Sequence, residues 1–295
     1  MYFGNTHMHS TFSDGAYTPE KLIEIGKEIG HKAMLLADHD TMSGQHEFQK
    51  AARSAGILTM TATEITALCS FGRCHLVCVD FNTEDKAMRE LLDISAACTR
   101  ELTHYLFEEG IANGTMRKGL TWQDVLDANP GKDYICNNHV FELLKEKGIY
   151  TQDEYAEFFS SNFGIPKDRK YALEDEIGYH HFQIQDAIDI VLKADGVPII
   201  AHPTEKGKYF FKEETENYIK MGVKGFEVSF PSSTPEQREF YSAVCDEKGL
   251  YKLGGTDHSG KLGGFEKAFP QYDVGPETGY IDEENFMKLY RRELW

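Results

Sequence analysis

The opening of the chain places two histidines, His7 and His9, two residues apart at the end of a short predicted strand. Side chains on a strand alternate between its faces, so imidazoles at this spacing point the same way and can reach one metal ion. Asp14 follows shortly afterwards, and the run Asp38-His39-Asp40 comes one strand and one helix later. Mixtures of imidazoles and carboxylates suit divalent transition metals. Their repetition along the chain indicates a hydrolase that uses several metal ions.

Further ionisable side chains stand at the ends of later apolar runs. They are Glu64, His75, His202, Glu227, Asp257 and His258. In barrels and open parallel sheets, functional groups gather at the carboxyl ends of the strands. We therefore expect these groups to project to one face, together with His7, His9 and His39. His75 opens its apolar run instead of ending it, and it fits this pattern less well.

The segments that position these residues alternate between strand and helix. Thr18-Pro19 is typical of a helix start and Gly30 of the end of that helix, and a second helix is predicted from Ser43 to Ala55, before Gly56. Units of this kind build a parallel sheet with helices outside it. The predicted strands are Tyr2–Thr6, Ala33–Ala37, Ile57–Ala62, Leu76–Phe81, Val197–Ala201, Gly225–Phe230 and Tyr251–Leu253.

The middle of the chain, residues 100–185, has a different character. It is polar, rich in Glu, Lys and Tyr, and contains no predicted strand. We expect an α/β barrel formed by residues 1–99 and 186–295, with a helical insertion at 100–185 that lids the site. The aromatic side chains of the insertion either stack on a ligand or, as helical spacing more often indicates, form a core.

The composition limits the classes of function and location. The 295 residues carry 48 acidic and 31 basic side chains, a net charge of −17, which argues against sequence-independent binding to duplex nucleic acid. A small anionic substrate stays possible, because bound cations reverse the local field. Six cysteines without a CxxC pair predict reduced, structural thiols. With no signal region and no apolar run near the roughly 20 residues that span a membrane, we expect a soluble cytoplasmic protein.

These motifs together carry a resemblance to a known family. The quoted segments are the run from His7 to Gly15, Asp38-His39-Asp40-Thr41, Glu64, His75, Ala201-His202-Pro203 and Gly255-Thr256-Asp257-His258. They resemble the PHP (polymerase and histidinol phosphatase) superfamily, and the chain is similar to its stand-alone phosphoesterases that dephosphorylate nucleotides or trim RNA 5′ ends. The resemblance implies a distorted (β/α)7 TIM-like barrel and the metal-dependent hydrolysis of a phosphate monoester on a small substrate.

The resemblance also implies a cluster of two or three divalent ions, Mn, Fe or Zn. It gives the first ion four ligands, which are His7, His9, Glu64 and Asp257. Glu64 would bridge to another ion held by His75 and His202. A carboxylate shared in this way offsets the repulsion between closely spaced cations.

Asp14 and His39 would hold the remaining ion with His258. The family motif has one residue between its Asp and its His, whereas here His258 follows Asp257 directly. On an extended backbone an imidazole one position earlier points to the other face. Whether two or three ions are bound therefore stays open.

Substrate binding is expected around His139. Related nucleotide phosphatases carry an Arg two residues before the matching histidine, and the pair binds phosphate; Asn137 stands there in this chain. We expect His139 and Asn137 to contact the substrate. The phosphate would also be held by a lysine such as Lys206, Lys208 or Lys261, or by the metals alone.

The remaining roles concern protons and positioning. Asp14 and His258 are the candidates for protonating the leaving alkoxide. We expect Asp40 to orient His39 or another ligand, and Glu227 to support a ligand or contact the substrate.

Three alternative functions stay open for the chain. They are a histidinol-phosphate phosphatase, an amidohydrolase acting on C–N bonds, and a metal-binding regulatory module without catalysis.

Overall fold

The computed structural model describes residues 3–70, 72–155, 176–178, 180–203, 212–257 and 279–294, together with Phe158, Phe163 and Ile165. The strands of this part are β1 (Gly4–Asn5), β2 (Ala33–Met34), β3 (Ala62–Cys69), β4 (Gly72–Val79), β5 (Val197–Ile200), β6 (Gly225–Ser229) and β7 (Tyr251–Gly254). Its helices are α1 (Pro19–Glu28), α2 (Gln45–Ala55), α3 (Lys86–Asn113), α4 (Trp122–Ala128), α5 (Asn137–Glu146), α6 (Ile184–Lys193), α7 (Lys212–Met221), α8 (Pro235–Lys248) and α9 (Glu283–Tyr290), with a 3-10 turn at Gln152–Glu154. The mixed α/β class is confirmed.

The principal sheet joins β3, β4, β5, β6 and β7 in that order, while β1 pairs with β2 in parallel. The expectation of an all-parallel sheet is wrong at β4, which runs antiparallel to both of its neighbours. Cys69 pairs with Gly72, so only two residues connect β3 to β4. Two-residue connections form hairpins, whereas parallel strands need a long crossover.

The strand expected at Ile57–Ala62 is also misplaced. β3 begins at Ala62 and continues to Cys69, and only Leu58 of the earlier run forms an isolated bridge, with Ala33. Glu64 therefore lies inside a strand instead of following one. It is paired in parallel with His39 and in antiparallel with Val77, so the segment that follows β2 lies beside the first half of β3.

Backbone hydrogen bonds bring the first and last strands together. The Thr6 amide donates to the Gly254 carbonyl at 3.1 Å, and the Asp257 amide donates to the His7 carbonyl at 3.0 Å. The chain segments that carry His7, His39, Glu64 and Asp257 are thus neighbours, although they are far apart in sequence.

The helix starts and ends follow the predicted signals. The hydroxyl of Thr18 accepts a hydrogen bond from the Lys21 amide at 3.3 Å and Pro19 opens α1. α2 ends at Gly56, whose φ of 72° is in the left-handed region that glycine adopts without a steric cost. Leu22 of α1 and Phe48 of α2 are buried in one core, which anchors both helices beside β2.

The boundary expected at residue 100 falls inside α3, a single helix of 28 residues. Its first half contributes Met88 and Leu92 to the core beneath the principal sheet. Its second half contributes Leu102 and Phe107 to a separate core shared with α4 and α5. Among the described residues of the insertion, most aromatic side chains, including Phe141, belong to this second core or pack against it, as their spacing more often indicates.

Two further expectations concern cysteines and membranes. All six cysteines are free thiols, and Cys78, Cys98 and Cys245 are buried. Among the described residues, no helix combines the length and the apolar character that crossing a bilayer requires.

Candidate metal centre

The predicted ligands converge on one buried site. Three overlapping groups each offer ligand atoms within 4.8 Å of one another; they are His7, His9, Glu64 and Asp257, then His9, Asp14 and His39, then His39, Glu64 and His75. His9, His39 and Glu64 each belong to two groups. Each group is therefore a candidate metal site, and the groups share ligands.

Glu64 lies at the centre of the cluster and is completely buried. Its Oε2 lies 3.2 Å, 3.4 Å and 3.0 Å from nitrogens of His7, His9 and His39. Its Oε1 lies 3.2 Å from Nδ1 of His75 and 3.0 Å from Nε2 of His202. One carboxylate thus contacts five imidazoles. Its Oε2 faces three of them, and its Oε1 faces the other two.

Several of these atoms have no hydrogen-bond partner. The buried, unpartnered atoms include Nε2 of His7, Nδ1 of His9, Oδ1 of Asp14 and Oε2 of Glu64. They lie within ion-pair distance of one another, but not in the directions that a hydrogen bond requires. Unpaired polar atoms in an interior cost roughly 1–3 kcal/mol each, and divalent cations would satisfy all of them. The donor set therefore fits Mn, Fe or Zn.

The electrostatics of the cluster also require positive charge. Burial alone would lower the pKa of His39, but the carboxylates of Glu64 and Asp14 outweigh it and raise that pKa to about 10. The pKa of His7 is likewise raised by Glu64, Glu227 and Asp257 against the effect of burial. The carboxylates therefore favour the positively charged forms of these imidazoles, and a bound cation would take the place of such protons.

The reversed direction of β4 explains the position of His75. The register pairs His75 with Thr66, two residues beyond Glu64 on β3. Because β4 runs antiparallel, its starting half lies beside the carboxyl ends of β3 and β5, close to His202. His75 reaches the cluster although it precedes the buried part of its strand.

Glu227 supports two members of the cluster from behind. Its side chain is fully buried, with Oε1 at 3.2 Å from Nδ1 of His7 and Oε2 accepting the backbone N–H of His202 at 2.7 Å. A carboxylate on Nδ1 fixes the imidazole so that Nε2 faces the cluster. A Cβ on Gly255 would lie 2.2 Å from Cβ of His7 and 2.7 Å from Oε1 of Glu227, so only glycine fits there.

The carboxylates on either side of His39 have backbone partners. Asp38 accepts hydrogen bonds from the amide of Ser10 at 2.6 Å and from the hydroxyls of Ser10 and Ser13 at 2.7 Å each. This fixes the loop that carries Asp14, a role that the sequence did not reveal. Asp40 accepts from the Thr66 amide at 2.8 Å, and its role in orienting His39 stays a prediction.

Three residues of the site have a positive φ, which non-glycine residues rarely adopt. The angles are 50° at Asp40, 25° at His202 and 52° at Asp257. Such conformations cost on the order of 1–3 kcal/mol each and concentrate at functional sites. Of the three, His202 and Asp257 contact cluster members, with His202 at 3.0 Å from Glu64 and Asp257 at 2.8 Å from His9.

Residues between 100 and 185 contact the cluster directly. The Asn138 amide donates to Oδ2 of Asp14 at 3.2 Å, and the Tyr155 hydroxyl donates to Oδ1 of Asn138 at 2.7 Å. The ring of Tyr134 stacks on His39, with 5.3 Å between centroids and 18° between planes. The sequence analysis did not predict that these three residues contact the metal ligands, because no periodicity or motif links them to the ligand motifs.

A cavity of about 380 Å³ lies beside the cluster, between the loop at Gly15 and the insertion. His139 lines it, as does Lys132, which the sequence analysis did not identify. Asn137 is the first residue of α5 and is not among the residues that line this cavity. His258, Lys206, Lys208 and Lys261 lie outside the described residues.

The chain is similar to several known proteins. The chain is 27% identical over 262 residues to a 3′,5′-nucleoside bisphosphate phosphatase of Chromobacterium violaceum, covering 85% of each chain. It is 28% identical over 259 residues to a 5′-3′ exoribonuclease of Haemophilus influenzae, covering 85% of this chain and 88% of the relative. It shares its fold with a solved protein from Bifidobacterium adolescentis described as a metal-dependent phosphoesterase, with a TM-score of 0.80, 24% identity and coverage of 99% and 96% of the two chains.

The family profile of the PHP domain matches residues 5–174. This range includes the ligand candidates from His7 to His75 and most of the insertion, and it covers more than half of the 295 residues. The resemblance inferred from the motifs is confirmed, and the chain belongs to the PHP domain family.

Proposed function

We propose that the chain is a metal-dependent phosphoesterase that releases phosphate from a phosphate monoester of a nucleotide. The substrate would be a 3′,5′-nucleoside bisphosphate, a mononucleotide or the 5′ end of a short RNA. The observation that carries the proposal is the buried cluster around Glu64. Its nitrogen and oxygen atoms without hydrogen-bond partners would be satisfied by bound cations. The bisphosphate phosphatase and the exoribonuclease named above support a nucleotide as the substrate.

Two or three divalent ions, Mn, Fe or Zn, would lower the pKa of a bound water and offset charge on the phosphoryl oxygens. One ion would be held by His7, His9, Glu64 and Asp257, which form one group in the structure. Glu227 holds the His7 ring in the orientation that this requires.

The other ligand sets follow the two remaining groups. His39, Glu64 and His75 form one, and His202 joins it through its contact of 3.0 Å with Glu64. Asp14 and His39 form the other with His9, where Oδ1 of Asp14 lies 3.9 Å from a nitrogen of each histidine.

The leaving alkoxide needs a proton, because the pKa of an alcohol is far above neutral. We assign the donation of this proton to Asp14 or His258. The Asn138 amide occupies one oxygen of Asp14, while Oδ1 has no hydrogen-bond partner. His139, which lines the adjoining cavity, would contact the substrate, and Asn137 stands two residues before it.

We further propose that the seven strands close into a distorted (β/α)7 barrel, formed by residues 1–99 and 186–295, with residues 100–185 as a lid. The principal sheet supplies five of the strands. The bridge between His39 and Glu64 and the bond from Thr6 to Gly254 support the closure, since they join the ends of that sheet to β2 and β1.

The test is phosphate release by the Mn²⁺-reconstituted protein on four substrates: a 3′,5′-nucleoside bisphosphate, mononucleotides, a short 5′-phosphorylated RNA and histidinol phosphate. Glu64→Gln should reduce turnover at least a thousandfold, whereas His46→Ala, an exposed histidine of α2, serves as the matched control and should not change it. Turnover of histidinol phosphate alone would replace the nucleotide with an amino-acid precursor. No release from any substrate, with metal bound, would contradict the proposal and favour a regulatory module.

A further inference from the structure

The segments that carry His39 and Glu64 meet at an interrupted seam. Among the described residues, two isolated bridges join these segments, one between Ala33 and Leu58 and one between His39 and Glu64. Both bridges pair residues that are 25 positions apart, so they belong to one parallel register. β2 ends directly after the first bridge, and β3 begins shortly before the second. The stretch between the bridges therefore lacks the continuous ladder of a regular parallel pair.

One side-chain amide lies in this interruption. Nε2 of Gln45 donates to the carbonyl oxygen of Leu36 at 2.7 Å and to that of Ala62 at 2.6 Å. In the register of the two bridges, a regular parallel ladder would fill these carbonyls with the backbone amides of Ala62 and Asp38. Leu36 and Ala62 are fully buried. The carboxamide of Gln45 thus takes the place of one rung of the ladder.

Gln45 is the polar member of a buried helix face. The buried residues of α2 are Gln45, Phe48 and Ala52, which recur at helical spacing, where packing alone favours apolar side chains. Oε1 of Gln45 has no hydrogen-bond partner among the described residues. Exchanging the two ends of the amide would place this oxygen against two carbonyl oxygens, so the N–H donors must face the seam. The hydrogen bonds to both segments therefore account for a carboxamide at this position.

The two acceptors lie close in sequence to candidate metal ligands. Leu36 precedes His39 by three residues, and Ala62 precedes Glu64 by two. Nδ1 of His39 lies 3.0 Å from Oε2 of Glu64, and both residues belong to one candidate metal group. Metal coordination is sensitive to differences of about 0.2 Å in the positions of the ligand atoms. The separation of the two segments at Gln45 thus contributes to the geometry of these two ligands.

We propose that Gln45 is a positioning residue for the metal cluster, which keeps the backbone segments of His39 and Glu64 at the separation that a shared cation requires. The inference rests on the metal cluster of the proposed phosphoesterase and deepens that proposal. Gln45 acts through the two backbone carbonyls and not by contact with metal or substrate. Without its donors, two buried carbonyls would lose their partner, and the seam would widen or admit water.

The experiment compares Gln45→Met, which keeps the length of the side chain and removes the donors, with Gln49→Met as the matched control. Gln49 lies one turn later on α2, and its Nε2 donates to the hydroxyl of Thr61 at 3.0 Å instead of to the backbone of both segments. The dissociation constant of the most weakly held Mn²⁺ should rise about tenfold in Gln45→Met and keep its wild-type value in Gln49→Met.

The visible absorption of bound Co²⁺ separates positioning from a purely structural role, because it reports the geometry of the ligands. At saturating Co²⁺ the spectrum should change in Gln45→Met and not in Gln49→Met. A residue that only stabilised the fold would leave the spectrum of the fully loaded protein unchanged.

Hydrogen exchange of the metal-free protein provides a readout that needs no metal. The Glu64 amide donates to the Asp38 carbonyl at 3.1 Å, and the Asp40 amide donates to the Glu64 carbonyl at 2.8 Å. These amides lie directly beyond the carbonyls that Gln45 joins. They should exchange about tenfold faster in Gln45→Met, and at the wild-type rate in Gln49→Met.

If Gln45→Met does not fold, Gln45→Glu takes its place, because a buried carboxylic acid keeps the shape of the side chain and retains one donor. It should show smaller changes in the same direction. A folded variant with wild-type Mn²⁺ affinity, Co²⁺ spectrum and exchange rates would overturn the role of Gln45 and leave the phosphoesterase proposal intact. A wild type that binds metal but hydrolyses no phosphate ester would overturn the phosphoesterase proposal alone, and one that binds neither ion would overturn both.

Discussion

The side-chain amide of Asn138 donates a hydrogen bond of 3.2 Å to Oδ2 of Asp14, across 124 positions of sequence. Asn138 is 3% exposed, and its own carbonyl oxygen accepts the hydroxyl of Tyr155 at 2.7 Å. This leaves Oδ1 of Asp14 to face His9 and His39. A residue of α5 thus fixes the orientation of a candidate metal ligand that lies near the start of the chain.

Removing the Tyr155 hydroxyl should weaken metal binding while the fold is kept. Tyr155→Phe retains the ring that packs 5.1 Å from Phe141 but frees the Asn138 side chain to rotate away from Asp14. Loss of one such supporting contact should reduce the affinity of the most weakly held ion roughly tenfold. The measurement is metal content by mass spectrometry after dialysis against graded Mn²⁺. Tyr150→Phe is the control, because that hydroxyl accepts the Arg117 amide, away from the cluster; equal losses in both variants would contradict the prediction.

Glu227→Gln should have a larger effect on the same measurement. The carboxylate supports the Nδ1 side of His7 at 3.2 Å and accepts the His202 amide, so an amide in its place disturbs two members of the cluster. We expect metal affinity to fall about 10- to 100-fold. Glu239→Gln, an exposed position on α8, controls for the loss of one negative charge. Retention of wild-type metal affinity would show that Glu227 does not orient His7.

Chelation should destabilise the protein, because metal ions bind the folded cluster and not the unfolded chain. At a free Mn²⁺ concentration of about 100 times Kd, binding contributes roughly 2.7 kcal/mol, which corresponds to about 5–10 °C in Tm for a chain of this size. Thermal unfolding with EDTA and with Mn²⁺ measures the difference. The Glu64→Gln variant should show a much smaller Mn²⁺-dependent shift, and a wild-type shift of the same small size would refute cation binding at this cluster.

His31 should make the stability of the protein depend on pH. Burial lowers its pKa from 6.5 to about 4, and its ring packs 5.4 Å from that of Tyr280. As the pH falls, His31 therefore takes up a proton in the unfolded chain before it does so in the folded protein. The contribution of His31 to stability is complete above pH 6.5 and is lost progressively as the pH falls toward 4. Between pH 7 and pH 5 the free energy of unfolding should fall by about 1–2 kcal/mol more in the wild type than in His31→Phe. Urea denaturation with EDTA throughout, which removes the contribution of metal release, is the measurement; parallel pH profiles would exclude His31 as the cause.

The sequence by itself determined the local features of the site. The two-residue spacing of His7 and His9 places both imidazoles on the same face of any extended backbone. Thr18-Pro19 and Gly56 mark helix ends by their own conformational preferences, and the structure confirms both. Each of these inferences depends on residues within one turn or one strand, which is the range over which sequence spacing specifies geometry.

The tertiary structure decided how distant groups reach the cluster and which residues of the insertion contact it. The reversal of β4 brings His75 to the cluster, and spacing along the chain does not reveal strand direction. The insertion contributes Asn138 against Asp14 and Lys132 in the adjoining cavity, although neither residue belongs to a periodic pattern. Contacts between residues more than a hundred positions apart depend on how helices and strands pack against one another. That packing is a property of the whole core, and no single segment of the sequence encodes it.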